Sequence, residues 1–216
     1  NLDSREEKKN SKLKKIKIKS WRRRDVIKDY RFYIVALNML AMPWMATGIF
    51  VYQSFISETK LWTIYTIPKA FMVYSVTSIA TLFLSGFLVD KFTGRKLILF
   101  MNIPLLLAML VLYKFNHEIF AYIFFGLIGV SNGLANILGS STWAEIYGVK
   151  YLGSIKALTS AFMVFATAFG TAVFGLLIDN GFTIENIAFV GGTYIVVSLI
   201  LLLFFRKTIE PVKLVN

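Results

Sequence analysis

Two asparagines, Asn132 and Asn136, are the residues of this chain best placed to do chemistry. They lie in an uncharged run, Ile119–Ala144, and a spacing of four puts both amides on one helix face, which Ser140 continues. Amides donate and accept, so the pair can hold a polar solute or bond a neighbouring helix. Both readings stay open, because interhelical bonds of this kind are common and worth about 0.6–2 kcal/mol. Further polar residues inside uncharged runs are Asn38, Tyr52 and Gln53, then Tyr74, Ser78, Thr81 and Ser85, then Ser160, Thr167 and Thr171. For the Ser/Thr stripes close packing is the favoured reading. Covalent chemistry finds little support. Cysteine is absent, which removes disulfides, thiolate metal sites and a cysteine nucleophile. The single histidine, His117, lies between runs, and neither HExxH nor GxSxG occurs. The residues therefore point to no catalysis, no metal and no cofactor, and to the binding of a small solute.

The elements that position these residues are set by charge. Six uncharged runs, Phe32–Ser57, Ala70–Val89, Leu97–Tyr113, Ile119–Ala144, Ala157–Ile178 and Asn186–Phe205, are separated by short polar joints. A bilayer core needs roughly 20 apolar residues of helix, and the composition of 56% apolar and 17% charged residues agrees. The runs are too long for barrel strands, so helices are the spanning solution. The expected fold is an all-α membrane protein with six transmembrane helices, over about 32–56, 64–89, 97–114, 119–143, 156–178 and 187–205. Residues 1–31 form a basic linker with a short juxtamembrane helix over Trp21–Arg31, residues 32–207 the membrane domain and residues 208–216 a tail. Asn1–Ser20 reads as loose or disordered, and a start on Asn rather than Met points to processing, trimming or one piece of a larger protein. Pro43 and Pro104 should kink the first and third spans.

The net charge of +12 is concentrated on one side. Residues 1–31 carry 13 Lys/Arg against 5 Asp/Glu, which fits attraction to anionic headgroups and not a nucleic-acid-binding domain. With both termini inside, the inner segments hold 21 cations and the outer side only Lys60, Lys114 and Lys69. The expectation is a multi-pass protein of the cell inner (plasma) membrane with cytoplasmic termini. Asp90 and Asp179 then lie on opposite sides, which argues against an aspartyl dyad. Trp21, Trp62 and Trp143 fall near expected interfaces, whereas Trp44, beside Pro43, falls mid-span and is read as a cavity wall. Lys69, the one ionisable residue near a span, can contact an anionic solute or anchor at the outer interface; anchoring is favoured.

Two segments echo each other. Gly86–Asp90 (GFLVD) closes the second run and Gly175–Asp179 (GLLID) the fifth, three crossings apart and thus with opposite sense. That is the pattern of a 3+3 inverted repeat, although chance in so apolar a chain gives similar matches. The stretch from Gly86 to Lys96 (GFLVDKFTGRK) resembles the G-x-L-x-D-R/K-x-G-R-R/K signature of the major facilitator superfamily, with one extra residue between Asp90 and Gly94. Trp143–Gly148 (WAEIYG) and Leu152–Lys156 (LGSIK) resemble the loop between helices ten and eleven of bacterial members near the monocarboxylate and oxalate–formate branch. The resemblance implies the C-terminal half, helices seven to twelve, of a twelve-helix secondary transporter, whose N-terminal six-helix half would be the partner. It implies a solute cavity lined by the first, second, fourth and fifth spans, with Asn38, Trp44, Gln53, Tyr74, Ser78, Asn132, Asn136, Thr167 and Thr171 as candidates. It further implies a gating loop in which Gly86 permits close helix approach and Asp90 pairs with Arg95 beside Gly94. The alternative is that the loop cations only fix topology. A six-span channel or membrane scaffold is the alternative function.

Overall fold

The computed structural model describes residues 17–210 and 213–214, so residues 1–16 of the basic linker, most of the stretch Asn1–Ser20 expected to be loose or disordered, lie outside the described residues. Six helices are long and apolar enough to cross a membrane: Tyr30–Val51, Thr66–Phe92, Gly94–Lys114, Ile119–Tyr147, Leu152–Asp179 and Ile184–Phe204, called the first to sixth spans. Short helices precede and follow the first span, Arg23–Ile27 and Gln53–Thr59. A two-residue antiparallel pairing, Lys17–Ile18 with Lys213–Leu214, joins linker to tail.

Local chemistry sets the ends of these helices. Asp29 caps the first span by accepting the Arg31 N–H at 3.1 Å. The helix then runs through Pro43 without interruption. The third span is divided at Asn102 into Gly94–Met101 and Ile103–Lys114. Pro104 explains the division, since it has no N–H to return to the preceding turn. The backbone near the break is held by other helices instead. The Ser131 hydroxyl donates to the Met101 carbonyl at 3.0 Å, and Asn102 Nδ2 donates to the Asn38 carbonyl at 2.6 Å.

Packing follows the expected pair of triplets. The second span lies along the fourth and the first along the fifth. The third touches the fourth, the sixth touches the first, and the third and sixth meet each other. Exchanging spans one to three with four to six leaves this pattern unchanged. Burial obeys the same exchange: 61% and 50% of the apolar window for the first and fourth spans, 6% and 17% for the second and fifth, 39% and 33% for the third and sixth. The first members of each triplet are thus the centre of the bundle. Its outside carries a broad apolar surface, including Met72, Val76, Phe83, Phe87, Phe165 and Phe204, as contact with lipid requires.

Two glycine-lined seams join the pairs. On the second/fourth seam a Cβ at Gly129 would meet the Tyr74 carbonyl at 2.5 Å, and one at Gly133 the Ser78 carbonyl at 2.6 Å. Thr77 Oγ1 also donates to the Gly126 carbonyl at 3.1 Å. On the first/fifth seam, Gly48 faces the Phe174 ring and Gly170 the Trp44 backbone and indole.

Candidate functional site

The first and fourth spans, which the triplet exchange makes central, enclose a cavity of about 150 Å³. The first span contributes Met39, Met42, Pro43 and Ala46, and the fourth contributes Asn132, Ala135, Asn136 and Gly139. Met101 and Met163 close it from the third and fifth. Asn132 Nδ2 donates to Ser78 Oγ at 2.8 Å, and Asn136 Nδ2 donates to the Asn132 carbonyl at 2.9 Å. Both amide nitrogens are therefore engaged. Among the described residues no donor reaches either side-chain oxygen, so each can accept from a solute. Four polarizable thioethers beside two acceptors suit a solute with an apolar body and a donor. A cavity of about 150 Å³ elsewhere admits a molecule the size of benzene.

Of the residues expected to line a site, the cavity gathers Asn132 and Asn136. Ser78 touches it indirectly, as the partner of Asn132. Tyr74 lies on the second/fourth seam against Phe50 and Phe71. Asn38 is fully buried behind the cavity, next to Asn102, and neither of its side-chain polar atoms has a partner in the described structure. Gln53 borders a separate recess of about 500 Å³ with Glu58 and Trp62, at the end of the bundle opposite the termini. Thr167 and Thr171 bond back to carbonyls of their own helix, those of Val164 and Thr167, and Met163 takes the cavity position from the fifth span. Trp44 does not wall the cavity. One residue turns a helix by about 100°, and where Pro43 faces the fourth span, Trp44 is wedged against Tyr194 at 4.6 Å and Phe169 at 6.0 Å. Lys69 is exposed at the head of an exposed stripe, Met72, Val76 and Phe83, away from the cavity.

The gating loop is wired differently from the expected Asp90–Arg95 pair. Glu145, from the end of the fourth span, accepts the Gly94 N–H at 2.6 Å and the Arg95 N–H at 3.1 Å, and sits 3.4 Å from Arg95 Nε. A carboxylate at a helix N-terminus satisfies two orphan donors and the helix dipole together. Asp90 is exposed and has no ion-pair partner among the described residues. Gly86 permits no close approach here, since nothing lies within 4 Å of a Cβ built on it. Gly94 does, meeting Ser141 Oγ at 2.6 Å and the Thr142 nitrogen at 3.0 Å. Thr93, in the loop that carries the extra residue, is the single link between the second and third spans and has φ of 71°.

Further contacts tie the ends of the bundle. At the end bearing the termini, Asp29 holds Arg31 at 2.7 Å and accepts from the Tyr147 hydroxyl at 3.1 Å, while Arg31 Nη1 donates to the Glu210 carbonyl at 3.0 Å. Trp143 is fully buried, stacked on Tyr147 and against Phe32, so it serves packing and not a lipid interface. At the opposite end Lys60 is buried and donates to Glu185 at 2.6 Å and Asn116 at 2.7 Å. Trp62 is also buried there and donates its indole N–H to the Asn116 carbonyl. Glu118 accepts the Thr63 N–H at 2.6 Å, chiefly through which its carboxyl is held below the usual range. Asn102, Glu145 and Lys60 were not singled out for these roles. Asn102 had one signal, a polar residue just before a mid-run proline.

Six apolar helices in two exchange-related triplets, with a polar-edged cavity where their first members meet, define a multi-pass membrane protein of the transporter class. The family model described as Major Facilitator Superfamily matches residues 32–215. The chain belongs to that superfamily, and the associated function is membrane transport of a small solute. No curated protein matches the chain.

Proposed function

We propose that the chain forms one half, helices seven to twelve, of a secondary transporter that moves a small solute by alternating access. The observation that carries this reading is the cavity in which Asn132 and Asn136 of the fourth span face Pro43 of the first. The site lies where the triplets meet, the place such transporters use. A partner six-helix half would complete the wall and the gate. The orientation favoured by the distribution of cations puts both termini in the cytoplasm, in a cell inner membrane. The solute class implied by the branch resemblance is a small organic anion such as a monocarboxylate; the free Asn132 and Asn136 oxygens would take a donor elsewhere on it, such as a hydroxyl, and not its carboxylate. Among the described residues the lining holds no cation and Lys69 stands away from it, so the charge of such an anion would be met from the other half.

Uptake into proteoliposomes containing this chain and an N-terminal half tests the reading. Asn132→Leu with Asn136→Leu should raise KM about tenfold, the loss of one to two hydrogen bonds, with the protein still inserted. Unchanged KM would return both residues to helix packing, and absence of any uptake by the assembled halves would remove the transporter reading. Because the chain lacks cysteine, single replacements Lys150→Cys and Leu61→Cys report sidedness by labelling from either face.

A further inference from the structure

A basic recess lies apart from the solute cavity. It is a pocket of about 300 Å³ between the third and sixth spans, at the end bearing the termini. Arg95, Lys96, Arg206 and Lys207 line it, with Glu210 as the one carboxylate. Arg95 is turned toward Glu145, but Lys96, Arg206 and Lys207 have no acidic partner within 4.0 Å among the described residues. Lys96 lies in the first turn of its helix, where the dipole favours anions and not cations. Three unpaired cations converging there repel one another unless an anion sits between them.

The surface below the pocket narrows the choice of anion. Phe100 and Leu107 descend the third span from Lys96, and Leu203 and Phe204 descend the sixth from Lys207. All four are exposed, Phe204 by 80%. Phe100 lies one helical turn below Lys96 within Gly94–Met101, and Leu203 and Phe204 close the sixth span just before the turn that carries Arg206 and Lys207. A headgroup phosphate in the pocket would therefore continue into acyl chains lying on these stripes. A free phosphate would use the cations and leave the apolar stripes unused.

We propose that this pocket binds the phosphate headgroup of an anionic phospholipid, with its acyl chains along the third and sixth spans. Phosphatidylglycerol titrated against the full chain in neutral detergent, read by native mass spectrometry, tests it. Arg206→Gln with Lys207→Gln should weaken lipid binding roughly 25-fold, about fivefold per cation, whereas Lys150→Gln with Lys156→Gln, at the same end of the bundle, should change it by less than about twofold. Arg206→Lys should retain binding, which separates charge from a folding defect. Equal losses in the two double variants would overturn the site in favour of diffuse attraction. Displacement of the lipid by millimolar inorganic phosphate would overturn the lipid assignment and leave a phosphate pocket. Binding of phosphatidylcholine as tightly as phosphatidylglycerol would overturn the charge-based argument altogether.

Discussion

The second/fourth and first/fifth seams occupy equivalent places in the two triplets, yet they are built from different materials. On the second/fourth seam the glycines belong to the fourth span, and each meets backbone as well as side chain: Gly129 the Tyr74 carbonyl and the Thr77 hydroxyl, Gly133 the Ser78 carbonyl, the Leu82 nitrogen and the Thr81 side chain. On the first/fifth seam glycines come from both helices, and three of the four groups they meet are side chains: Phe174 opposite Gly48, Tyr52 opposite Gly175 and the indole of Trp44 opposite Gly170. Rings can turn in their notches, whereas backbones in contact cannot yield without moving a helix. The second/fourth seam is therefore rigid at both Gly129 and Gly133, whereas the first/fifth seam is rigid at Gly170 and adjustable at Gly48 and Gly175, although the exchange of triplets relates them. Equivalent topology does not demand equivalent mechanics.

Gly133→Ala gives the largest expected effect, since its Cβ would overlap two backbone atoms of the second span. A loss of about 3 kcal/mol in reversible unfolding is expected, the upper range for overpacking. Gly48→Ala should cost about 1 kcal/mol in the same assay, because only the Phe174 ring must turn. Equal costs for these two variants would abolish the contrast between the seams. Gly86→Ala should be neutral or stabilising by up to about 1 kcal/mol, as the added methyl meets nothing and helix propensity improves. A clear loss there would show that the chain had met a second surface at that face.

The smallest effect is electrostatic. Glu118, at the start of the fourth span, fastens the segment leading into the second, and its pKa is lowered by the Thr63 N–H. A group depressed in this way stabilises the fold above its ordinary pKa, and the contribution is lost as pH falls through the lower folded value. Hydrogen-exchange protection at Thr63–Thr66, corrected for the intrinsic pH dependence of exchange, should fall in that acid window, and Glu118→Gln should remove this loss.

The six spans were legible because charge is confined to the joints between them. The effect of Pro104 was legible from its residue type. The partner of Arg95 was not. Asp90 is five residues away in the chain, but it sits on the exposed side of the second span, while Glu145 arrives from 50 residues away through the fold. Trp44 was misplaced for a related reason: sequence gives depth in the membrane, and only the neighbouring helices say which way a side chain at that depth points. Thr167 and Thr171 share the same limit, since a hydroxyl in a span can satisfy itself on its own backbone.

Thr93 has a mechanical consequence. It is the only residue between two long helices, its N–H is tied back to Val89 at 3.0 Å, and its carbonyl takes the Leu97 N–H at 3.3 Å. A positive φ at a β-branched residue costs of order 1–3 kcal/mol, held in place by its surroundings. Such a joint has no slack. Torque on the second span would pass through Thr93 only as far as the eight-residue segment Gly94–Met101, whose first turn Glu145 ties to the fourth span, before the break at Asn102 interrupts it.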